Sequence, residues 1–260
     1  MCYNVKALKK TQLKRARLHG SAKDVSEILD DLEKLFPEEF HLVSGFAHPN
    51  LIIYISDNPF TPKLSTWGLI PSWVKDEEQK IKIWNNTINA RGETIFEKPS
   101  FKESAISKRC IIPIDGFYEH HHKAGKTYPY YVTRIDREPM HLAGLYSEWM
   151  NQSNGKALNT CTIVTTTGNE LMREIHNSPK LKEARMPVIL NDIEEDNWLK
   201  PISSEREKKA IAELIRPMDN EKLKAHTVRK LSGKSSLGNV SEASNEYVYE
   251  ALNFPTDLFS

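Results

Sequence analysis

The second residue of the chain is a cysteine that directly follows the initiator methionine, in the opening stretch MCYNV. Once an aminopeptidase removes Met1, Cys2 carries a free α-amine and a thiol on adjacent carbons. An α-amine of ordinary pKa, about 7.7–8.0, condenses with aldehydes, and a thiol of ordinary pKa, about 8.5, then closes a five-membered thiazolidine ring. Position 2 therefore suits a nucleophile that captures aldehydes, although a cysteine without any role fits this position as well.

Polar and small apolar side chains alternate in the segment TINARGE, residues 87–93. In an extended strand, side chains two residues apart lie on the same side, which places Asn89 beside Arg91. The planar guanidinium of Arg91 suits a bidentate contact with a phosphate. The pattern indicates either an amide and a cation at the mouth of a pocket or an ordinary solvent-facing strand.

Two titratable residues are candidates for proton transfer. Glu119 ends the apolar stretch CIIPIDGFYE, and desolvation beside aromatic residues raises the pKa of a carboxyl, as a general acid requires. His176 ends the helical stretch NELMREIH, where the helix dipole favours the imidazolium form. A surface glutamate and a capping histidine are the alternatives. The neighbouring run 120–122 is all histidine, but adjacent residues of a strand point to opposite faces, so we expect a surface run and no metal site.

Aromatic and basic segments are candidates for nucleic-acid contacts. The segment WGLIPSW predicts a shaped loop, in which Trp67 either packs in the core or stacks on a nucleobase. The basic runs 5–17 and 221–234 either line a phosphate-binding groove or form solvated surfaces.

Composition indicates a globular, intracellular protein. The chain has 260 residues with 39% hydrophobic residues, enough for a substantial core, and its net charge of +1 argues against a polycation. It contains neither an apolar run of about 18 residues nor a secretory signal, so no membrane span is expected. Its three cysteines are widely spaced, which favours reduced thiols over disulfides or zinc ligands.

Strand patterns outnumber helix patterns along the chain. Strands are expected in the stretches FHLVSGF, LIIYISD, TINARGETI, RCIIPIDGFYEHH, YPYYVTRI, MHLAGLYSEW and CTIVTTT, with a hairpin loop at Gly125. Helices are expected over residues 21–36 and in the stretches FEKPSFKESAIS, GNELMREIHN and SSEREKKAIAELIR. The order predicts a single α+β domain, residues 1–260, with a curved, barrel-like and mainly antiparallel β core, peripheral helices and a wrapping segment over residues 221–260.

Several blocks together resemble the SOS response-associated peptidase (SRAP) family. They are Cys2 after Met1, then WGLIPSW, NARGET, RCIIPIDGFYEH, LAGLYSEW, TIVTTTGNELMREIH and RMPVIL in family order, followed by LGNV at 237–240. The resemblance implies a single α+β fold around a barrel-like core. It also implies a protein that binds single-stranded DNA and joins covalently to abasic sites through its N-terminal cysteine, without a metal or organic cofactor.

The resemblance assigns roles position by position. It implies a catalytic group of Cys2, Asn89, Glu119 and His176, and DNA contacts by Arg91 and Thr165, to which the aromatic loop adds Trp67. It implies a monomer in the cytoplasm near the nucleoid, or in a nucleus, with no membrane partner. Three features depart from the family pattern: Asn4 replaces an arginine, His120 replaces a tryptophan, and NSPKLKEA separates His176 from the RMP block.

The residues leave other activities open. An N-terminal cysteine also suits a peptidase or amidase, and self-processing would expose it. A lyase acting on the same lesion and a noncatalytic nucleic-acid-binding module, in which Cys2 is incidental, are further alternatives.

Overall fold

Strands dominate the computed structural model, which describes residues 2–12, 26–27 and 39–253. The strands are β1 Asn4–Ala7, β2 Phe40–Ser44, β3 Asn50–Ile55, β4 Asn58–Trp67, β5 Asn89–Arg91, β6 Arg109–Ile114, β7 Gly116–Lys123, β8 Lys126–Arg134, β9 Met140–Met150, β10 Ala157–Thr167, β11 Arg185–Pro187, β12 Ile189–Leu190 and β13 Leu223–Thr227. The helices are α1 Lys9–Gln12, α2 Glu77–Trp84, α3 Lys102–Ser107, α4 Glu170–Ile175, α5 Asp192–Leu199, α6 Glu205–Glu213 and α7 Glu250–Asn253. The helix expected over residues 21–36 lies outside the described residues except at positions 26–27.

Five strands close into a barrel in the order β10, β4, β3, β6, β9 and back to β10. The β10–β4 pair is parallel and the other four pairs are antiparallel. Alternate residues of these strands pack into two different hydrophobic clusters, with Ile53 and Ile112 in one and Ile52 and Ile111 in the other. Both faces of the strands are therefore buried, which explains the uninterrupted apolar runs LIIYI and CIIPI.

A second, fully antiparallel sheet has the order β13, β8, β7, β1, β2. The chain passes from the barrel to this sheet at Asp115, so the single strand expected over RCIIPIDGFYEHH is two strands. The carboxylate of Asp115 accepts hydrogen bonds from the Leu8 backbone N–H (2.7 Å) and from the Thr11 hydroxyl (2.5 Å). These bonds hold the start of α1 against the point where the two sheets join.

The hairpin between β7 and β8 turns at Ala124 and Gly125, whose φ angles are 49° and 73°. Two successive positive φ angles give the turn the twist that antiparallel strands require. The hairpin expected at Gly125 is thus confirmed.

Several elements of the barrel side were absent from the sequence expectations, among them β4 and α2. Strand β4 contains Pro59 and Pro62, residues that ordinarily indicate a loop or an edge strand. Helix α2 is short, and it begins at an Asp76 carboxylate that accepts the Gln79 N–H (2.9 Å).

The C-terminal part lies along the second sheet. Strand β13 pairs with β8. The side-chain oxygen of Asn239 accepts hydrogen bonds from the backbone N–H groups of His41 (2.7 Å) and Leu42 (3.1 Å) on β2. The Lys6 ammonium on β1 donates to the Ser244 hydroxyl (2.8 Å).

The architecture confirms the predicted α+β class with a barrel-like, mainly antiparallel core. Cys2, Cys110 and Cys161 are free thiols. Among the residues described, no helix is long and apolar enough to cross a membrane.

Candidate active site

The register of β1 against β7 brings the start of the chain to Glu119. Asn4 pairs with Tyr118 in an antiparallel ladder, so the residues just before Asn4 lie beside the residues just after Tyr118. The Gly45 backbone N–H donates to the carbonyl of Tyr3 (2.7 Å) and fixes this segment from the other side. Position 45 requires glycine, because a Cβ there would lie 2.7 Å from Cγ2 of Ile88.

Cys2 is almost completely buried, with 1% of its surface exposed. Its backbone carbonyl accepts a hydrogen bond from the side-chain amide of Asn89 (2.8 Å). Burial, and then the negative charge of Glu119, raise the pKa of the Cys2 thiol far above its ordinary value. The thiol is therefore protonated at neutral pH, and it would have to lose that proton to act as a nucleophile.

Glu119 and His176 form a buried pair next to Cys2. Each is 6% exposed, and Nδ1 of His176 lies 3.9 Å from Oε2 of Glu119. Oε1 of Glu119 accepts the backbone N–H of His120 (3.0 Å). The carboxyl of Glu119 and the imidazole of His176 therefore line the same cavity.

The imidazole of His176 is held by the backbone of Arg185. Its Nδ1 lies 3.0 Å from both the nitrogen and the oxygen of that residue's main chain. Burial lowers the pKa of His176, and the nearby charge of Glu119 only partly offsets this. This direction is opposite to the one expected from the helix dipole, because burial of the imidazole disfavours its charged form.

A cavity of about 360 Å³ opens at this pair. Its walls come from the start of the chain, from β7 and β8, and from the segment after α4; they comprise Tyr3, Glu119, His120, His122, Thr127, His176, Ser178 and Leu181. Ser178 and Leu181 belong to the NSPKLKEA segment, so this departure from the family pattern forms part of the wall. Within the described part of the chain, no group of three or more His, Cys, Asp or Glu residues is arranged to hold a metal ion.

Asn89 and Arg91 lie on β5, which runs parallel to β10. Arg91 is exposed, whereas Asn89 is partly buried. Oδ1 of Asn89 is buried and has no hydrogen-bond partner among the described residues. Gly92 follows directly, and a Cβ at that position would lie 2.1 Å from Cγ2 of Ile215, which explains the glycine of NARG.

Trp67 and Thr165 are both 0% exposed, so the expected contacts of these side chains with DNA are wrong. The indole N–H of Trp67 donates to the carbonyl of Ile88 (2.8 Å), and the hydroxyl of Thr165 donates to the carbonyl of Ala90 (3.3 Å). They hold the backbone on either side of Asn89. Trp73, 48% exposed, is the tryptophan of the aromatic loop that faces solvent.

Arg185 was missed as a site residue. Its guanidinium is 1% exposed and makes a bidentate pair with Glu93 (2.6 and 2.8 Å), a contact with Glu183 (3.0 Å) and a hydrogen bond to the Thr165 carbonyl (2.9 Å). Since its backbone also holds His176, Arg185 joins the histidine to the strand that carries Asn89. The RMP block and the acidic residue two positions after Arg91 were the available signals.

Comparisons with known proteins agree on one family. The family described as SOS response associated peptidase (SRAP) matches residues 12–235. The chain is 40% identical over 213 residues to the abasic site processing protein YoqW of Bacillus subtilis, covering 78% of this chain and 88% of that protein. It is 30% identical over 174 residues to the abasic site processing protein HMCES of Gallus gallus, covering 59% of this chain and 49% of that protein. A crystal structure of a protein from Bacteroides thetaiotaomicron superposes with a TM-score of 0.79 at 33% identity, covering 95% of this chain and all of the other (100%).

Proposed function

The chain belongs to the SOS response-associated peptidase family, and from this premise we propose that it captures abasic sites in single-stranded DNA through a covalent bond to Cys2. The observation that carries the proposal is the position of Cys2, held by Asn89 and next to the Glu119–His176 pair. The two relatives compared above are named abasic site processing proteins. An abasic deoxyribose lacks a base and opens to an aldehyde, the group with which a 1,2-aminothiol reacts.

The first half of the reaction forms an imine. After Met1 has been removed, the α-ammonium of Cys2 gives one proton to the carboxylate of Glu119. The resulting neutral amine attacks C1′ of the ring-opened sugar, and a proton moves from nitrogen to the aldehyde oxygen. Glu119 then protonates the carbinolamine hydroxyl, which leaves as water, and the iminium remains. The unpartnered Oδ1 of Asn89 is available to accept an N–H of the amine and orient its lone pair.

The second half closes the ring. The Cys2 thiol transfers its proton to the carboxylate of Glu119 while Sγ attacks C1′, and the electrons of the C=N bond return to nitrogen. Aldehyde and aminothiol give thiazolidine and one water, and Glu119 is regenerated as the acid. The raised pKa of the thiol makes this proton acceptor necessary.

Two further residues act on the substrate. His176, neutral at pH 7, assists opening of the sugar ring or the reversal of the link. Arg91, exposed at the end of β5, binds a flanking phosphate. We propose that the protein acts as a monomer, without a cofactor, where DNA is present, in the cytoplasm or in a nucleus.

The competing activities make different demands on Cys2. A cysteine peptidase or amidase uses a thiolate of low pKa in electropositive surroundings, whereas here burial and a carboxylate raise the pKa. A lyase would cleave the strand from the iminium before the thiol closes the ring. Self-processing, which would release Met1, remains compatible with the capture reaction.

Incubation with abasic single-stranded DNA, followed by a denaturing gel and mass spectrometry, tests the proposal. We expect a stable adduct whose mass is that of the protein without Met1 plus the oligonucleotide minus one water. Cys2→Ser retains the amine but lacks the thiol, so it should give only a labile adduct, and Cys2→Ala should do the same.

Two outcomes would contradict the thiazolidine. One is a stable band of wild-type intensity from Cys2→Ala, and the other is such a band from protein with an uncleaved N-terminal extension. Strand cleavage without an adduct would instead support the lyase, and turnover of an amide substrate without DNA would support the hydrolase.

A further inference from the structure

A lysine stands at the rim of the cavity on the side of β8. The Lys230 ammonium donates a hydrogen bond to the carbonyl of Thr127, a residue of the cavity wall. The same ammonium lies 5.4 Å from the ring centroid of Tyr128 and 5.6 Å from that of Tyr249. Its charge also reaches into the cavity, because it contributes to the lowered pKa of His120, which burial chiefly causes.

Aromatic rings continue outward from Lys230. The ring of Tyr249 packs edge-on against Tyr128 (centroids 5.1 Å apart) and against Tyr247 (4.8 Å). The guanidinium of Arg229 lies 4.4 Å from the centroid of Tyr247. Lys230, Tyr249, Tyr247 and Arg229 form a continuous row of two adjacent rings with a cation at each end, which we call the aromatic–basic ladder.

The backbone beneath the ladder is fixed. The Tyr247 backbone N–H donates to the Thr227 carbonyl (2.8 Å), and the Thr227 hydroxyl donates to the Tyr247 carbonyl (2.7 Å). The Tyr249 hydroxyl donates to the Val228 carbonyl (2.9 Å). Tyr247 and Tyr249 nevertheless remain partly exposed, and Arg229 is exposed. The rings and the cation are therefore held in place but accessible.

We propose that the aromatic–basic ladder binds the single-stranded DNA on one side of the abasic site; this inference rests on the proposed function. Partly exposed rings offer stacking platforms to unpaired bases, and the cations at the two ends of the row match the phosphates of the same strand. The row begins at the wall of the cavity that would hold the lesion, so a strand leaving the cavity over Thr127 meets Lys230 first.

The local charges determine which contact dominates. Glu246 and Glu250 are exposed next to the two ladder tyrosines in the chain, and they offset the cations in part. Stacking on Tyr247 therefore contributes more to affinity than the charge of Arg229. Loss of Arg229 should reduce the salt dependence of binding by about one phosphate contact, a slope of roughly 0.7 in single strands.

The test compares Tyr247→Ala and Arg229→Ala with two matched controls. Tyr247→Phe keeps the ring, and Lys209→Ala removes an exposed lysine on α6. Affinity for intact single strands is measured by fluorescence anisotropy. The crosslinking rate is measured on abasic oligonucleotides extended only to the 5′ side or only to the 3′ side, and on 2-deoxyribose 5-phosphate, which has no flank.

We expect Tyr247→Ala to weaken binding of intact strands by about fivefold or more, the effect of losing one stacked base, while Tyr247→Phe and Lys209→Ala bind like wild type. The crosslinking defect should appear with one of the two flanks and be absent with 2-deoxyribose 5-phosphate. An equal defect on 2-deoxyribose 5-phosphate, or unchanged affinity for every DNA, overturns the ladder. If wild-type protein forms no adduct at all, the proposed function fails, and the anisotropy of intact strands still tests the ladder separately.

Discussion

Replacing Glu119 by glutamine should change two reactions of Cys2 in opposite directions. The amide keeps the size and much of the hydrogen bonding of the buried carboxyl, but it can neither donate a proton to the carbinolamine nor accept one from the thiol. Crosslinking to abasic DNA should therefore slow by about 10²–10⁴-fold, the usual contribution of general acid–base catalysis.

The thiol itself should become easier to ionise in this variant. The charge of Glu119 is the second cause of the raised Cys2 pKa, after burial. Each unit by which the pKa falls increases the thiolate fraction about tenfold. Because burial is the larger cause and persists, the thiolate remains a minor species at neutral pH. Alkylation of Cys2 by iodoacetamide should therefore be faster than in wild type, but still slow compared with an exposed cysteine.

The assay pairs a single-turnover time course of crosslinking with alkylation of Cys2 followed by mass spectrometry. Glu205→Gln, at an exposed position of α6, is the control for loss of one negative charge. Affinity for intact single strands should be unchanged in both variants. Crosslinking at the wild-type rate in Glu119→Gln would refute the proton-transfer role, and slower alkylation would refute the electrostatic argument.

Two further predictions concern stability. Burial lowers the pKa of His176 and of His120 below the ordinary 6.5, so the unfolded chain binds more protons than the folded one as the pH falls through this range. The urea midpoint of unfolding should therefore decrease between about pH 7 and about pH 5. This decrease should be smaller in a His120→Asn, His176→Asn double variant. An equal decrease would show that these two histidines do not cause the pH dependence. Arg109, 3% exposed, donates to the carbonyls of Ala105, Ile106, Trp198 and Lys200 at the ends of α3 and α5. Arg109→Met should lower the free energy of unfolding in urea by about 3 kcal/mol, because buried carbonyls lose their donor, and a loss below about 1 kcal/mol would show that the helix ends find other partners.

Most residues of the candidate site could be predicted from the sequence because they lie in short, distinctive stretches. Cys2, Asn89, Glu119 and His176 come from four separate segments, and the structure brings them to one place through the β1–β7 register and the Arg185 backbone. Their chemical roles remain predictions. Arg185 escaped notice because its importance lies in its pair with Glu93. The two residues are 92 positions apart in the chain, so the RMP block and the acidic residue after Arg91 did not show that they meet.

The errors at Trp67 and Thr165 have one physical origin. A sequence pattern shows which side chains share a face of a strand, but not whether a second layer covers that face. In the closed barrel both faces are covered, so an aromatic residue and a threonine that suit DNA contact are instead packed around β5. Strand β4 and helix α2 were missed for a related reason, since tertiary pairing outweighs the local signal of two prolines or of a weakly amphipathic segment.

The central position of β1 in its sheet has a consequence during synthesis of the protein. β1 lies between β7 and β2, so the strand that follows Cys2 cannot pair fully until the ribosome has made the chain beyond residue 118. At roughly 5–20 residues per second, this takes roughly 6–24 seconds. Once the first residues have left the ribosome, they remain unpaired for the rest of that interval, whereas folding afterwards buries Cys2. The proposed role of Cys2 therefore requires that Met1 be removed before the sheet is complete.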